Sequence, residues 1–158
     1  MTHVRRTVAC AWPVEAAFAY MADLSHIVEW DPSVVSASRE DGGEDPVGPG
    51  SAFRLTVRVG RRLVPMRYVV TELGPGHVTF AARTGTLVSV DTVSVTGSSG
   101  RTEVRYEAEL RPRGVLRPAA PLLSLAFRRL AARAIRGLGQ RLSEEPPRVR
   151  QEDGRPRG

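Results

Sequence analysis

The sequence predicts an α+β domain: a curved antiparallel sheet of about seven strands wrapped around a long C-terminal helix, with two short helices after the first strand. Three observations predict it. Between 51 and 110, apolar and polar residues alternate in successive runs separated by short Gly-rich turns, the pattern of an antiparallel meander. From about 117 to 142 the apolar spacing lengthens to a helical step. At 158 residues the chain has the length of one domain, and such a chain buries roughly 68–70% of its unfolded surface.

Residues 3–11 are β-prone through Val4, Thr7 and Val8. Pro13 then suits a first helical turn, where its missing N–H costs nothing, and Glu15 suits the positive end of the helix dipole. Val14, Ala17, Phe18 and Met21 form one apolar stripe. A second short helix fits 24–30, capped by Asp23 or Ser25 and ended at Asp31 because Pro32 disfavours helical geometry there. These two helices should plug one end of the sheet. Residues 41–50 are Gly, Pro and acidic residues and read as a loop.

The strands follow at 51–59, 62–73, 77–83, 86–96 and 102–110. Gly60-Arg61 suits a two-residue hairpin turn with Gly first. One face of the sheet should be wet and the other covered. In the final segment Leu116, Ala119, Leu123, Phe127, Leu130, Ala134, Leu138 and Leu142 form an apolar helical stripe, with most of the Arg residues lying away from it. This helix would be about 37–39 Å long, enough to cross the sheet. Pro118 and Pro121 are compatible with it only in the first turn. The domain should therefore occupy 1–143, with 144–158 a polar, Pro- and Arg-rich disordered tail.

Composition is ordinary for a globular protein, with 41% hydrophobic and 25% charged residues. The charge is uneven: residues 1–110 carry a net −2 and residues 111–158 a net +8. Every basic residue other than the three His is Arg, a bias that points to a GC-rich bacterial genome. A lone Cys10 excludes an internal disulfide and reads as packing. No apolar run reaches spanning length, and the N-terminus lacks the apolar block of a signal peptide, so a cytoplasmic protein without stable membrane insertion is expected.

Certain segments carry a resemblance. They are Pro13-Val14-Glu15-Ala16-Ala17-Phe18-Ala19-Tyr20-Met21-Ala22-Asp23-Leu24, Glu29-Trp30-Asp31-Pro32, Val47-Gly48-Pro49-Gly50-Ser51 and Tyr68-Val69-Val70-Thr71-Glu72-Leu73. With Gly100-Arg101-Thr102-Glu103-Val104 and the Ala/Leu/Arg helix, they make the chain resemble the helix-grip fold of the START-like (SRPBCC) superfamily over about 3–142. Within it the chain looks most like the polyketide cyclase/dehydratase-like group. The resemblance implies a cavity between the concave sheet and the long helix. Small residues, Ala119, Ala120, Ala126, Ala131 and Ala134, keep that helix slim.

Strand parity places Val93, Val95, Ser89 and Asp91 inward and Thr92 and Ser94 outward. An inward Asp91 needs a partner or a raised pKa; at the strand mouth it would instead be solvated or bonded to a loop. Tyr68 and Tyr106 should also point inward, each an apolar ring with a polar tip. Phe53, Phe80, Leu123 and Phe127 should line the interior. Trp30 sits at the expected entrance, where it either shields a ligand or pins the helical plug. His26 lies on the same plug and is, with Asp91, the candidate for acid–base chemistry; its alternative is an exposed surface His.

No phosphate loop, nucleophile elbow or zinc spacing is present, so neither a cofactor nor a metal is expected. No aromatic residues interleave with the helix Arg, which speaks against nucleic acid and for a solvated face. The leading expectation is a module binding a small hydrophobic molecule, polyketide- or lipid-like. A polyketide cyclase or dehydratase is the alternative, and an interaction protein using its basic helix the third. Monomer and homodimer stay open.

Overall fold

The structure, a computed structural model, describes residues 1–146. Seven antiparallel strands form one sheet in the order β1 (Thr2–Cys10), β7 (Arg101–Pro112), β6 (Leu87–Ser98), β5 (His77–Arg83), β4 (Arg62–Gly74), β3 (Ala52–Val59) and β2 (Val34–Arg39). Helix α1 (Val14–Ala22) and a 3-10 helix (Leu24–Glu29) follow β1; a second 3-10 turn (Gly114–Ala119) leads into α2 (Ala120–Ser143). This is the helix-grip arrangement that the resemblance implies.

Turn chemistry explains why the meander closes where it does. Val59 pairs with Arg62 around Gly60, whose φ of 62° fits the first position of a two-residue hairpin loop. Gly74 pairs with His77 around Pro75-Gly76, with Pro at the position of fixed φ and Gly76 at φ 73°. Alternation then buries one face: Met66, Tyr68 and Val70 in β4, Val78, Phe80 and Ala82 in β5, and Ser89, Asp91, Val93 and Val95 in β6.

Three elements differ from the sequence reading. Residues 24–29 form a 3-10 helix rather than an α-helix; Asp23 caps it by accepting from the Ser25 N–H and hydroxyl at 3.0 and 2.6 Å. The long helix begins as a 3-10 turn because Pro118 cannot donate within an α-helical ladder, and α2 proper starts with Pro121 in its first turn. The seventh strand, β2, has no turn-bounded alternating run of its own that would mark it in the sequence. It is an edge strand with a register shift between Val34 and Ser36. Helix α2 ends at Ser143; of the tail expected at 144–158, residues 147–158 lie outside the described residues.

Helix α2 runs alongside β1 in the same direction. The Thr2 and Ser124 hydroxyls meet at one end, and the Ala11 N–H donates to the Leu142 carbonyl at 2.9 Å at the other. At that second end the interior is solid. Trp12, 1% exposed, donates its indole N–H to the Glu144 carbonyl at 2.7 Å and meets Tyr20 edge-on at 4.9 Å. The Arg141 guanidinium lies 4.9 Å from the Trp12 ring centre and 5.3 Å from that of Tyr20, and donates to Glu29 at 3.1 Å. Leu138 and Leu142 are fully buried beside it. Towards its start the helix is covered more loosely: Leu123, Phe127 and Leu130 are half-buried and Leu122 and Leu125 exposed.

Candidate functional site

The concave face carries one polar network, built by three strands. Tyr68 on β4 reaches across β5 at Ala82, whose single methyl leaves room, and donates to the Ser89 hydroxyl at 3.2 Å. Ser89 donates to Asp91 Oδ1 at 3.2 Å. Tyr106 on β7 stands opposite Val93 and leans diagonally to Asp91 Oδ2 at 2.6 Å, past Ala108, which faces Asp91 directly. Small Ala82 and Ala108 thus let two large phenols converge on one carboxylate.

Burial sets the electrostatics. Asp91 is only 8% exposed, and loss of water pushes its carboxyl up to about 6, against the lowering effect of the Tyr106 and Ser89 hydrogen bonds. A nearby carboxylate, Asp31, pushes it further the same way. Asp31 is itself raised by burial, opposed by the Ser33 hydroxyl and N–H, which donate at 2.7 and 2.9 Å. The Tyr106 and Tyr68 phenols are raised first by burial and then by the Asp91 charge, so both stay neutral donors. The carboxyl, by contrast, changes charge close to neutral pH.

Apolar side chains surround the network. Phe53 and Phe80 meet edge-on at 6.0 Å, and Trp30, 5% exposed, meets the Tyr106 ring at 5.8 Å and 76°. Trp30 therefore closes over the network while its backbone carbonyl packs onto Gly137 of α2. Leu123 and Phe127 lie on the loosely covered half of α2. His26 does not join the network: its ring stacks on Tyr20 at 4.5 Å, and Nδ1 lies 3.0 Å from the Tyr20 carbonyl.

Two residues of this environment escaped sequence reasoning as site residues. Ser89 shares the inward parity of Asp91, and that was its signal. Asp31 reads from sequence only as a helix stop; the Asp-Pro-Ser order, in which the carboxylate accepts from the residue two further on, is a local turn and reveals nothing about burial.

A groove of about 560 Å³ lies outside the concave face, between the 3-10 helix and α2, lined by Val28, Pro32, Arg133, Arg136 and Gln140 among others. Trp30 borders it, but Asp91, Tyr68 and Tyr106 do not, so it is separate from the network. Among the described residues no three His, Cys, Asp or Glu side chains gather as a metal set, and no helix is long and apolar enough to cross a membrane.

A family model described as "Polyketide cyclase / dehydrase and lipid transport" matches residues 1–143. No curated protein matches the sequence. Among solved structures, a START superfamily protein from Mycobacterium smegmatis aligns with TM-score 0.73 at 12% identity, covering 90% of this chain and 98% of that one. The Zhui aromatase/cyclase from Streptomyces sp. R1128 aligns with TM-score 0.72 at 14% identity, covering 89% and 93%. Ginseng major latex-like protein 151 from Panax ginseng aligns with TM-score 0.64 at 9% identity, covering 90% and 97%. These likenesses establish the fold.

Proposed function

Because the chain belongs to the polyketide cyclase / dehydrase and lipid transport family, we propose that it binds a small hydrophobic molecule between the concave sheet and the first half of α2. The observation that carries this reading is the Tyr68–Ser89–Asp91–Tyr106 network, buried in apolar surroundings with two phenols on one carboxylate. A core needs no such network; apolar side chains of the same volume would fill the space without the cost of burying a carboxylate. Tyr106 also keeps part of its surface accessible even though enclosure by protein raises its phenol, as expected of a side chain walling a hollow. An apolar ligand with a hydroxyl or ketone at one end fits: the half-buried Leu123 and Phe127 pack its body and Tyr106 or Asp91 orients its polar end, while Phe53 and Phe80, fully buried, belong to the packed core behind them.

The expected result for Tyr106→Phe, titrated with a hydroxyanthraquinone as probe and read by Trp fluorescence quenching, is about tenfold weaker binding from one lost hydrogen bond. Unchanged affinity would remove the network from ligand recognition. Native mass spectrometry of the protein from its source cells reads the natural occupant directly.

One observation favours an enzymatic reading beside the first. A carboxyl titrating at about 6, held 2.6 Å from a phenol, can take a proton from an enolisable carbon and return it at neutral pH. With a poly-ketone substrate, Asp91→Asn would then abolish turnover, and His26→Ala, remote from the network, would leave it. Equal turnover in Asp91→Asn and the parent protein leaves binding alone.

A further inference from the structure

We propose that one end of this sheet is a docking face for an anionic lipid bilayer. The register brings five segments to that end: the β3–β4 hairpin turn at Gly60-Arg61, the loop joining Arg83 to Val88, the start of β1 at Thr2 opposite Leu110, the end of β7 at Pro112, and the 3-10 turn that follows it. The start of α2 joins them through the Thr2–Ser124 contact.

Exposed aliphatic side chains concentrate there. Val115 is 83% exposed, Leu122 72%, Leu63 55% and Leu125 49%, with Met1 beside them. Leu122 and Leu125 are one turn apart on the outward side of α2, so they project together. A protein surface tolerates single exposed aliphatics; a group of them at one end of the fold marks a contact.

Charge selects the partner. Arg61, Arg62, Arg83, Arg113 and Arg117 are exposed at the same end. The sequence carries no Asp or Glu between 46 and 71 or between 110 and 143, whereas the opposite end holds the acidic loop with Asp41, Glu44 and Asp45. Exposed aliphatics and guanidiniums at one end of the fold match the interface of an anionic bilayer, in which headgroups pair with Arg and the acyl boundary takes Leu and Val. A nucleic acid would pair with the Arg but offer nothing to the aliphatics, and the face has no aromatic rings for stacking. These surface residues lie apart from the Tyr68–Ser89–Asp91–Tyr106 network.

The test is flotation of the full chain with vesicles of phosphatidylcholine alone and with one third phosphatidylglycerol, at low and high salt. The expected result is about tenfold or more protein on the anionic vesicles, falling with salt. The variant Leu63→Ser/Leu122→Ser/Leu125→Ser and the variant Arg113→Gln/Arg117→Gln should each lose most of that binding while keeping the parental melting temperature and probe affinity. The proposal is overturned if the parent protein stays unbound. It is equally overturned if the serine variant floats like the parent and soluble heparin displaces both, because the face then reads charge alone and suits an acidic macromolecule.

Discussion

Replacing Asp91 with Asn is expected to stabilise the protein at pH 7 and to lose that advantage as the pH falls toward 4. The sign follows from burial. The unfolded chain ionises Asp91 at an ordinary 3.8, whereas the folded chain holds its proton up to about 6. Below 3.8 both forms are protonated and the residue costs nothing. Between 3.8 and 6 the unfolded state releases its proton first, so rising pH drains folding stability. Above 6 the full penalty applies, and a gap of about two pH units corresponds to about 3 kcal/mol. Asn carries no charge and escapes it; its carbonyl can still accept from Tyr106, and the Ser89 hydroxyl can turn to accept from its amide. Denaturation midpoints of the two proteins across this pH range give the measurement. A difference that does not change with pH, or one that favours the parent above pH 6, would refute the assignment. The burial of Asp31 is present in both proteins and cancels, whereas its repulsion of Asp91 is part of the penalty that Asn removes.

A second large effect is expected at Gly137, and there the structure reverses the sequence-based expectation. Helix propensity alone says that Gly→Ala within α2 gains about 1 kcal/mol. At Gly137, however, an added methyl would run into the backbone carbonyl of Trp30. That carbonyl cannot easily retreat, because the Trp30 side chain is buried against Tyr106 and the Trp30 backbone N–H donates to the Ile27 carbonyl at 3.2 Å. Gly137→Ala is therefore expected to cost about 2–3 kcal/mol, the scale of overpacking. Gly139→Ala, two residues on, provides the control. Its methyl would come 3.4 Å from a Val8 methyl, a side chain that can yield, so this change should be neutral or stabilising by up to about 1 kcal/mol. Urea denaturation of the pair separates backbone contact from helix propensity. Stabilisation by both changes would mean that α2 is not seated on Trp30.

The parts of the fold that could be read from sequence are those with a strong period or a specific turn. Phe53 to Val59 alternates cleanly, Gly60 and Pro75-Gly76 mark hairpins, and Leu123 to Leu142 steps along one helical face. Strand β2 could not be read because an edge strand with a bulge buries only Val34 fully and needs no alternation. Within the candidate site, parity alone puts Ser89 and Asp91 on the face of Val93. Whether that face is wet or dry at Asp91 depends on Tyr106 and Trp30, which arrive from other elements, and pattern along one strand cannot report them. His26 shows the converse. Proximity in sequence to Trp30 suggested the mouth, but the 3-10 geometry turns its ring onto Tyr20 instead.

Of the seven strands, β1 is made first and completed last. Its ladder partner ends at Leu110, opposite Thr2, and its covering helix finishes only at Ser143. At roughly 5–20 residues per second, a ribosome would leave this strand waiting several seconds for its neighbour. During biosynthesis the N-terminal segment thus remains an open template while β2 to β6 can already pair. Chaperone capture or premature self-association would target residues 2–10 during that interval.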